Sequence, residues 1–126
     1  MKRSDARQKL SAATPPPAVS LLESMAESRI SVLYLARRAK EAKNTALAKE
    51  LSDQGQRLRT EITRLRQTET AAWGTQSKAL LARAETAQSE LAKLIRDADK
   101  SAKKMRVFTR ALTAASNILA VAKKVI

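Results

Sequence analysis

The sequence lacks two residue types on which many enzymes and metal sites depend. Its 126 residues include no cysteine and no histidine. Thiolate metal sites and cysteine nucleophiles are therefore excluded, and the commonest general base and metal ligand is missing. Gly55 and Gly74 are isolated, so no glycine-rich phosphate loop is present. We predict a protein that is not an enzyme and that uses no cofactor or metal ion.

Aromatic residues, glycine and proline are scarce as well. The chain has three aromatic residues, two glycines and three prolines, against 24 alanines. Aromatic side chains dominate the cores of compact globules, whereas alanine is the strongest helix former. This composition predicts an all-α fold with a thin, alanine-lined helix contact. Burial per residue is low in such a shape, which favours a homo-oligomer.

Long hydrophobic runs are missing too. The longest uncharged stretch of the helical part, from Ala111 to Ala122, has twelve residues, whereas a membrane span needs about twenty. The charged N-terminus is not followed by an apolar core of signal-peptide length. We expect a cytoplasmic location, and secretion by a leaderless route stays open as an alternative.

Acidic residues are scarce near the C-terminus. The chain carries 25 lysines and arginines against 12 acids, a net charge of +13, and no acid follows Asp99. Such a field attracts polyanions such as nucleic acid, an anionic membrane or an acidic protein. A solvated face that only keeps the protein soluble explains the same residues equally well.

A helical periodicity of apolar residues, by contrast, runs through most of the sequence. From Ser77 to Ile126, apolar or small residues recur at alternating steps of three and four, the pattern of a coiled-coil seam. A similar stripe covers Leu21 to Ala46 and then, displaced by one residue, Leu47 to Ala72. Together with Gly55, the displacement indicates an irregularity that either stays within one long helix or breaks it at the glycine.

The ends of the predicted helices are marked by turn and cap residues. Residues 1–19 include three consecutive prolines and predict a disordered basic leader. Ser20 and Glu23 form a capping box that predicts the first helix start. Trp73-Gly74-Thr75 predicts a tight turn, because glycine ends a helix readily and threonine caps the next.

The two arms on either side of this turn, 20–72 and 76–126, are nearly equal in length. They predict one helical domain, 20–126, built as an elongated antiparallel helical hairpin or coiled coil. A three-helix bundle is the alternative if the first arm breaks at Gly55.

Folding the arms at residue 74 brings cations from both arms to one level. We name this candidate anion or nucleic-acid site the basic belt, and it consists of Arg37, Arg38, Lys40, Lys43, Lys100, Lys103, Lys104, Arg106 and Arg110. We expect the basic belt to contact the phosphates of a nucleic acid. Sequence readout is not expected, because the chain has no groove-reading motif and too few aromatics to stack single-stranded bases.

The C-terminal helix carries more apolar residues than a seam requires. We predict an oligomer or membrane face formed by Val107, Phe108, Ala111, Leu112, Ile118, Leu119, Val121, Val125 and Ile126. A helix of another subunit could cover this face. It could also lie on an anionic membrane surface.

Three functions remain open. The first is a non-catalytic scaffold or adaptor that acts through coiled-coil packing, binds a protein partner or itself, and offers the basic belt to an anionic partner. The alternatives are non-specific nucleic-acid binding and association with a membrane surface through the C-terminal helix. No small-molecule substrate is expected.

Overall fold

The computed structural model describes residues 17–67, 77–100 and 104–125. Within them the chain forms four α-helices, and the prediction of an all-α fold is confirmed. The helices are α1 (Pro17–Glu41), α2 (Thr45–Arg66), α3 (Ser77–Lys100) and α4 (Lys104–Lys124).

The four helices pack as two hairpins lying side by side. Helix α1 contacts α2 and α3, α4 contacts α2 and α3, and α1 also reaches α4 across the core. Ser24 Oγ donates to Gln88 Oε1 over 2.6 Å, and Arg38 Nη2 lies 3.2 Å from Asp99 Oδ1. Because both partners advance along the chain together, α1 and α3 are parallel.

Helices α2 and α4 are parallel by the same criterion. Gln54 Nε2 donates to Ser116 Oγ over 3.3 Å, and Arg64 Nη2 donates to the Ala122 carbonyl over 3.0 Å. The start of α2 therefore lies at the same end of the bundle as the start of α4. The Ala122 carbonyl, in the last turn of α4, also accepts the Val125 N–H over 3.2 Å.

The first arm reverses at residues 42–44, so a helix running continuously over 20–72 is wrong. The Asn44 N–H donates to the Ala39 carbonyl and the Lys43 N–H to the Lys40 carbonyl, both over 2.9 Å. This is the Schellman arrangement that ends many helices. Lys43 adopts φ 63°, a left-handed conformation that costs a non-glycine residue about 1–2 kcal/mol. Asn44 then caps α2 by accepting the Leu47 N–H.

Gly55 does not break a helix, so the three-helix alternative is wrong as well. It lies buried within α2, where an added Cβ would stand 2.6 Å from Leu33 Cδ2 and 3.1 Å from Leu33 Cγ. The glycine lets α1 and α2 approach closely at this level. The one-residue displacement of the apolar stripe between Ala46 and Leu47 reflects the nearby turn instead.

The second arm is also two helices, so a single helix over 76–126 is wrong. Helix α3 ends at Lys100, and α4 begins at Lys104 and packs against α3. Four Cα steps span at most about 15 Å, so the chain reverses between these helices. The heptad pattern fails at the start of α4, because its position Met105 is 67% exposed while Val107, which is not a heptad position, is buried.

The N-terminal boundary differs by one turn from the prediction. Helix α1 begins at Pro17 rather than at Ser20, because proline is tolerated in a first turn whose N–H groups have no helical partner. Residues 1–16 of the predicted leader and the predicted turn at Trp73-Gly74-Thr75 lie outside the described residues. None of the four helices combines the length and hydropathy needed to cross a bilayer.

Candidate nucleic-acid interface

The apolar C-terminal stripe is part of the core of the single chain. Since α4 contacts three other helices, it needs a wide apolar face. Leu112 is half-buried against the core, and Ile126 lies outside the described residues. The other seven are buried: Val107, Phe108, Ala111, Ile118, Leu119, Val121 and Val125. These seven residues are each at most 8% exposed, so they present almost no surface to a membrane or a second subunit in the folded chain.

The described residues of the basic belt lie toward one end of the bundle. We call this the turn end, because it holds the reversal at 42–44 and the one between Lys100 and Lys104. Helices α1 and α3 finish there, and α2 and α4 begin there. Straight arms folded at residue 74 would place the belt midway along a shaft. The two reversals place it at an end instead.

Not every belt residue is available there. Arg38 is held between Glu41 and Asp99, each 3.2 Å away, and Asp99 also accepts the Tyr34 hydroxyl over 3.2 Å. Lys103 and the Lys104 side chain lie outside the described part. The remaining belt residues are exposed: Arg37, Lys40, Lys43, Lys100, Arg106 and Arg110.

The belt is also divided between opposite faces of the bundle. Arg37 and Lys40 line a groove between α1 and α2. Arg110 lines a separate groove between α3 and α4, together with Arg83 of α3 and Glu90. Hairpins lying side by side put these two grooves on opposite faces, so the structure does not join all nine belt residues into one surface.

The α1–α2 groove carries more positive charge than the α3–α4 groove. It has a volume of about 590 Å³, and its lining comprises Leu33, Ala36, Arg37, Lys40, Thr45, Ala48, Lys49 and Ser52. Three cations and two hydroxyl groups converge there, and no acidic side chain is among the lining residues. Cations and hydroxyl donors are the groups that protein surfaces commonly direct at phosphate oxygens.

The sequence analysis did not identify three of the groove residues, Lys49, Thr45 and Ser52. They became neighbours of Arg37 and Lys40 only through the reversal at 42–44, which a continuous first arm excludes. Two signals for that reversal were present: Asn44, a favourable N-cap residue, and the displacement of the stripe between Ala46 and Leu47.

Nearby acids neutralise this groove only weakly. Lys49 Nζ lies 3.6 Å from Asp53 Oδ2, with both side chains largely exposed. Exposed ion pairs of this kind contribute little to stability, because water and salt screen the attraction between the charges. Glu41, at the end of α1, pairs with Arg38. Lys49 is therefore free to exchange its carboxylate for a phosphate at little cost.

The described residues contain no group of three or more acidic side chains that could hold a metal ion. Comparison of the chain with protein-family models, with curated proteins and with solved structures finds no match in any of the three.

Proposed function

We propose that this protein is a non-catalytic helical interaction protein that binds the phosphate backbone of duplex nucleic acid through the α1–α2 groove at the turn end. The observation that carries the proposal is the convergence of Arg37, Lys40 and Lys49 in one groove without a lining carboxylate. The adjacent end of the bundle adds the exposed cations Lys43, Lys100 and Arg106.

Electrostatics favours a partner of high linear charge density. The chain has a net charge of +13, and like charges gathered at one end repel one another until a polyanion offsets them. Each phosphate that a lysine or arginine neutralises releases a condensed counterion, so binding is driven by counterion release rather than by base contacts. Arginine in this groove can also hold a phosphate with two hydrogen bonds.

Duplex titration at several salt concentrations tests this function. We expect binding of a 30-base-pair duplex that is independent of sequence, with log affinity falling linearly against log salt. Arg37→Gln/Lys40→Gln/Lys49→Gln should weaken binding at least about tenfold at low salt and reduce the slope by about 2.7, at about 0.9 per lost phosphate contact.

The matched control removes the same charges elsewhere. Arg59→Gln/Lys78→Gln/Lys93→Gln also replaces one arginine and two lysines, all exposed and none in the α1–α2 groove. It should lose much less affinity than the groove variant. Equal losses of affinity in the two variants would show that binding depends on net charge and not on the α1–α2 groove. A duplex that fails to bind at low salt would contradict the proposed function.

A further inference from the structure

The outer side of α1 carries apolar side chains that the rest of the bundle leaves uncovered. Among the described residues, four large apolar side chains are exposed, and three of them lie on α1: Val19, Ile30 and Tyr34. Ile30 is 64% exposed, whereas Leu35 in the same helix is fully buried. Single exposed apolar residues are ordinary, but a group of them on one helix is typical of an interaction surface.

Two stripes of residues run along α1 on opposite sides. The buried stripe faces the core and consists of Leu21, Met25, Ser28, Val32, Leu35 and Ala39. A second stripe begins two residues earlier and repeats the same alternating steps of four and three. We name it the outer stripe, and it consists of Val19, Glu23, Ala26, Ile30, Leu33 and Arg37. Two residues turn a helix by about 200°, so the outer stripe lies opposite the core with the spacing of a coiled-coil seam.

The charge on this part of α1 is opposite in sign to that of the whole chain. From Pro17 to Ala36 the charged residues are Glu23, Glu27 and Arg29, two acids against one base, in a chain of net charge +13. Two copies of so basic a chain repel each other, and the repulsion is smallest where cations are few. The outer side of α1 is such a place.

The outer stripe is complementary to itself when a second copy runs antiparallel to it. Glu23 and Arg37 lie seven residues before and after Ile30, and both are exposed. A two-fold axis beside Ile30 therefore sets Ile30 against its own copy and each Glu23 against the Arg37 of the other chain. Neither charged side chain forms an ion pair among the described residues. The same axis places the large Tyr34 ring level with the small Ala26 side chain, four residues to either side of Ile30.

We infer that α1 pairs with α1 of a second copy in an antiparallel, two-fold symmetric dimer. The two Ile30 side chains meet at the axis and lose their exposure to water, and the two Glu23–Arg37 ion pairs fix the register of the contact. A contact between single helices is small compared with a standard interface, so the dimer dissociates on dilution. Arg37 also lines the α1–α2 groove, so none of the tests contains nucleic acid, and they are independent of duplex binding.

Sedimentation equilibrium of the full chain, at concentrations up to about 1 mM, tests the dimer. We expect a monomer–dimer equilibrium. Ile30→Gln should weaken it at least about tenfold, because a glutamine amide would be buried at the axis without a partner. Met105→Gln removes an equally exposed apolar side chain on α4 and should change the dimer affinity by about twofold or less. Both variants should fold, because both side chains lie at the surface.

Charge reversal tests the register of the two helices. Glu23→Arg and Arg37→Glu each place like charges against one another, and each should weaken the dimer at least about threefold. If net charge alone governed association, Arg37→Glu would instead strengthen it, because that change lowers the positive charge. Glu23→Arg/Arg37→Glu restores opposite charges at both ends and should dimerise within about twofold of the unaltered chain.

Disulfide trapping locates the axis, in a chain that has no other cysteine. Ile30→Cys should form linked dimers under mild oxidation, because a residue beside the axis faces its own copy. Val19→Cys, in the same stripe, should not, because antiparallel helices hold the two copies of that position about 33 Å apart. A parallel pairing would link both variants.

Four results would overturn the inference: a chain that stays monomeric at the highest concentration, equal losses in Ile30→Gln and Met105→Gln, a double charge reversal that fails to recover the dimer, or linking of Val19→Cys as readily as Ile30→Cys.

Discussion

Phe108→Ala is expected to lower the free energy of unfolding by about 3–5 kcal/mol, the usual cost of truncating a buried aromatic side chain. Phe108 is fully buried and is the bulkiest of the fully buried side chains among the described residues. It lies on α4, which contacts all three other helices, so the cavity would open where the helices meet. Urea denaturation followed by circular dichroism measures the change.

Met105→Ala is the matched control, because the heptad pattern assigns Met105 and Phe108 to the same seam. Met105 is 67% exposed, so its truncation should change stability by less than about 0.5 kcal/mol. If Phe108→Ala leaves too little folded protein to measure, Phe108→Leu should still fold with a loss of about 1 kcal/mol. Similar losses at positions 105 and 108 would contradict the packing of α4.

Gly55→Leu is expected to destabilise the protein by about 2 kcal/mol, although leucine is much the better helix former. Replacing glycine in a helix interior normally gains up to about 1 kcal/mol. Here the new side chain would occupy the space of Leu33, since even a Cβ would stand 2.6 Å from Leu33 Cδ2. Overpacking of this kind costs about 1–3 kcal/mol. Urea denaturation again gives the value.

A double-mutant cycle identifies the cause. Leu33→Ala should recover much of the loss in the Gly55→Leu chain, because it vacates the contested space, so the two changes should not be additive. Gln56→Leu, an exposed neighbour on α2, should change stability by less than about 0.5 kcal/mol. If Gly55→Leu stabilises the chain and Leu33→Ala has no effect on it, α1 and α2 do not meet at this level.

The helical class and most core positions could be predicted from the periodicity alone. Leu80, Ala84, Ala87, Leu91 and Leu94 are buried in α3 as the heptad requires. The reversal between α3 and α4 could not be predicted, because the heptad continues through Lys100 in the sequence, and Phe108, Ala115 and Leu119 are buried in phase with it. A repeat of apolar positions records which face of a helix is buried. It does not record whether consecutive helices continue or fold back.

The width of the apolar face of α4 indicates how many helices pack against it, which the heptad positions alone do not. A helix that packs against one partner needs a narrow seam, whereas Val107, Phe108, Ala111, Ala114 and Ala115 cover a broad face. Such a face indicates several neighbours. We assigned the additional neighbours to another subunit or a membrane, but they are other helices of the same chain.

The candidate site was predictable in part, for a reason specific to this chain. The belt cations flank both reversals, and they meet at one end because α1 and α3 run parallel. Their partners Lys49 and Ser52 depended on the reversal at 42–44.

The reversal at 42–44 underlies this account, because it alone brings Lys49 beside Arg37 and Lys40. The distance between spin labels at Val19→Cys and Gln67→Cys tests it most directly, in a chain with no other cysteine. Antiparallel neighbours with axes about 8–10 Å apart predict a label separation below about 25 Å, unchanged when labelled protein is diluted with unlabelled protein. A continuous helix would separate the labels, which lie 48 positions apart in the sequence, by about 72 Å, and that result would contradict the fold and the site built on it.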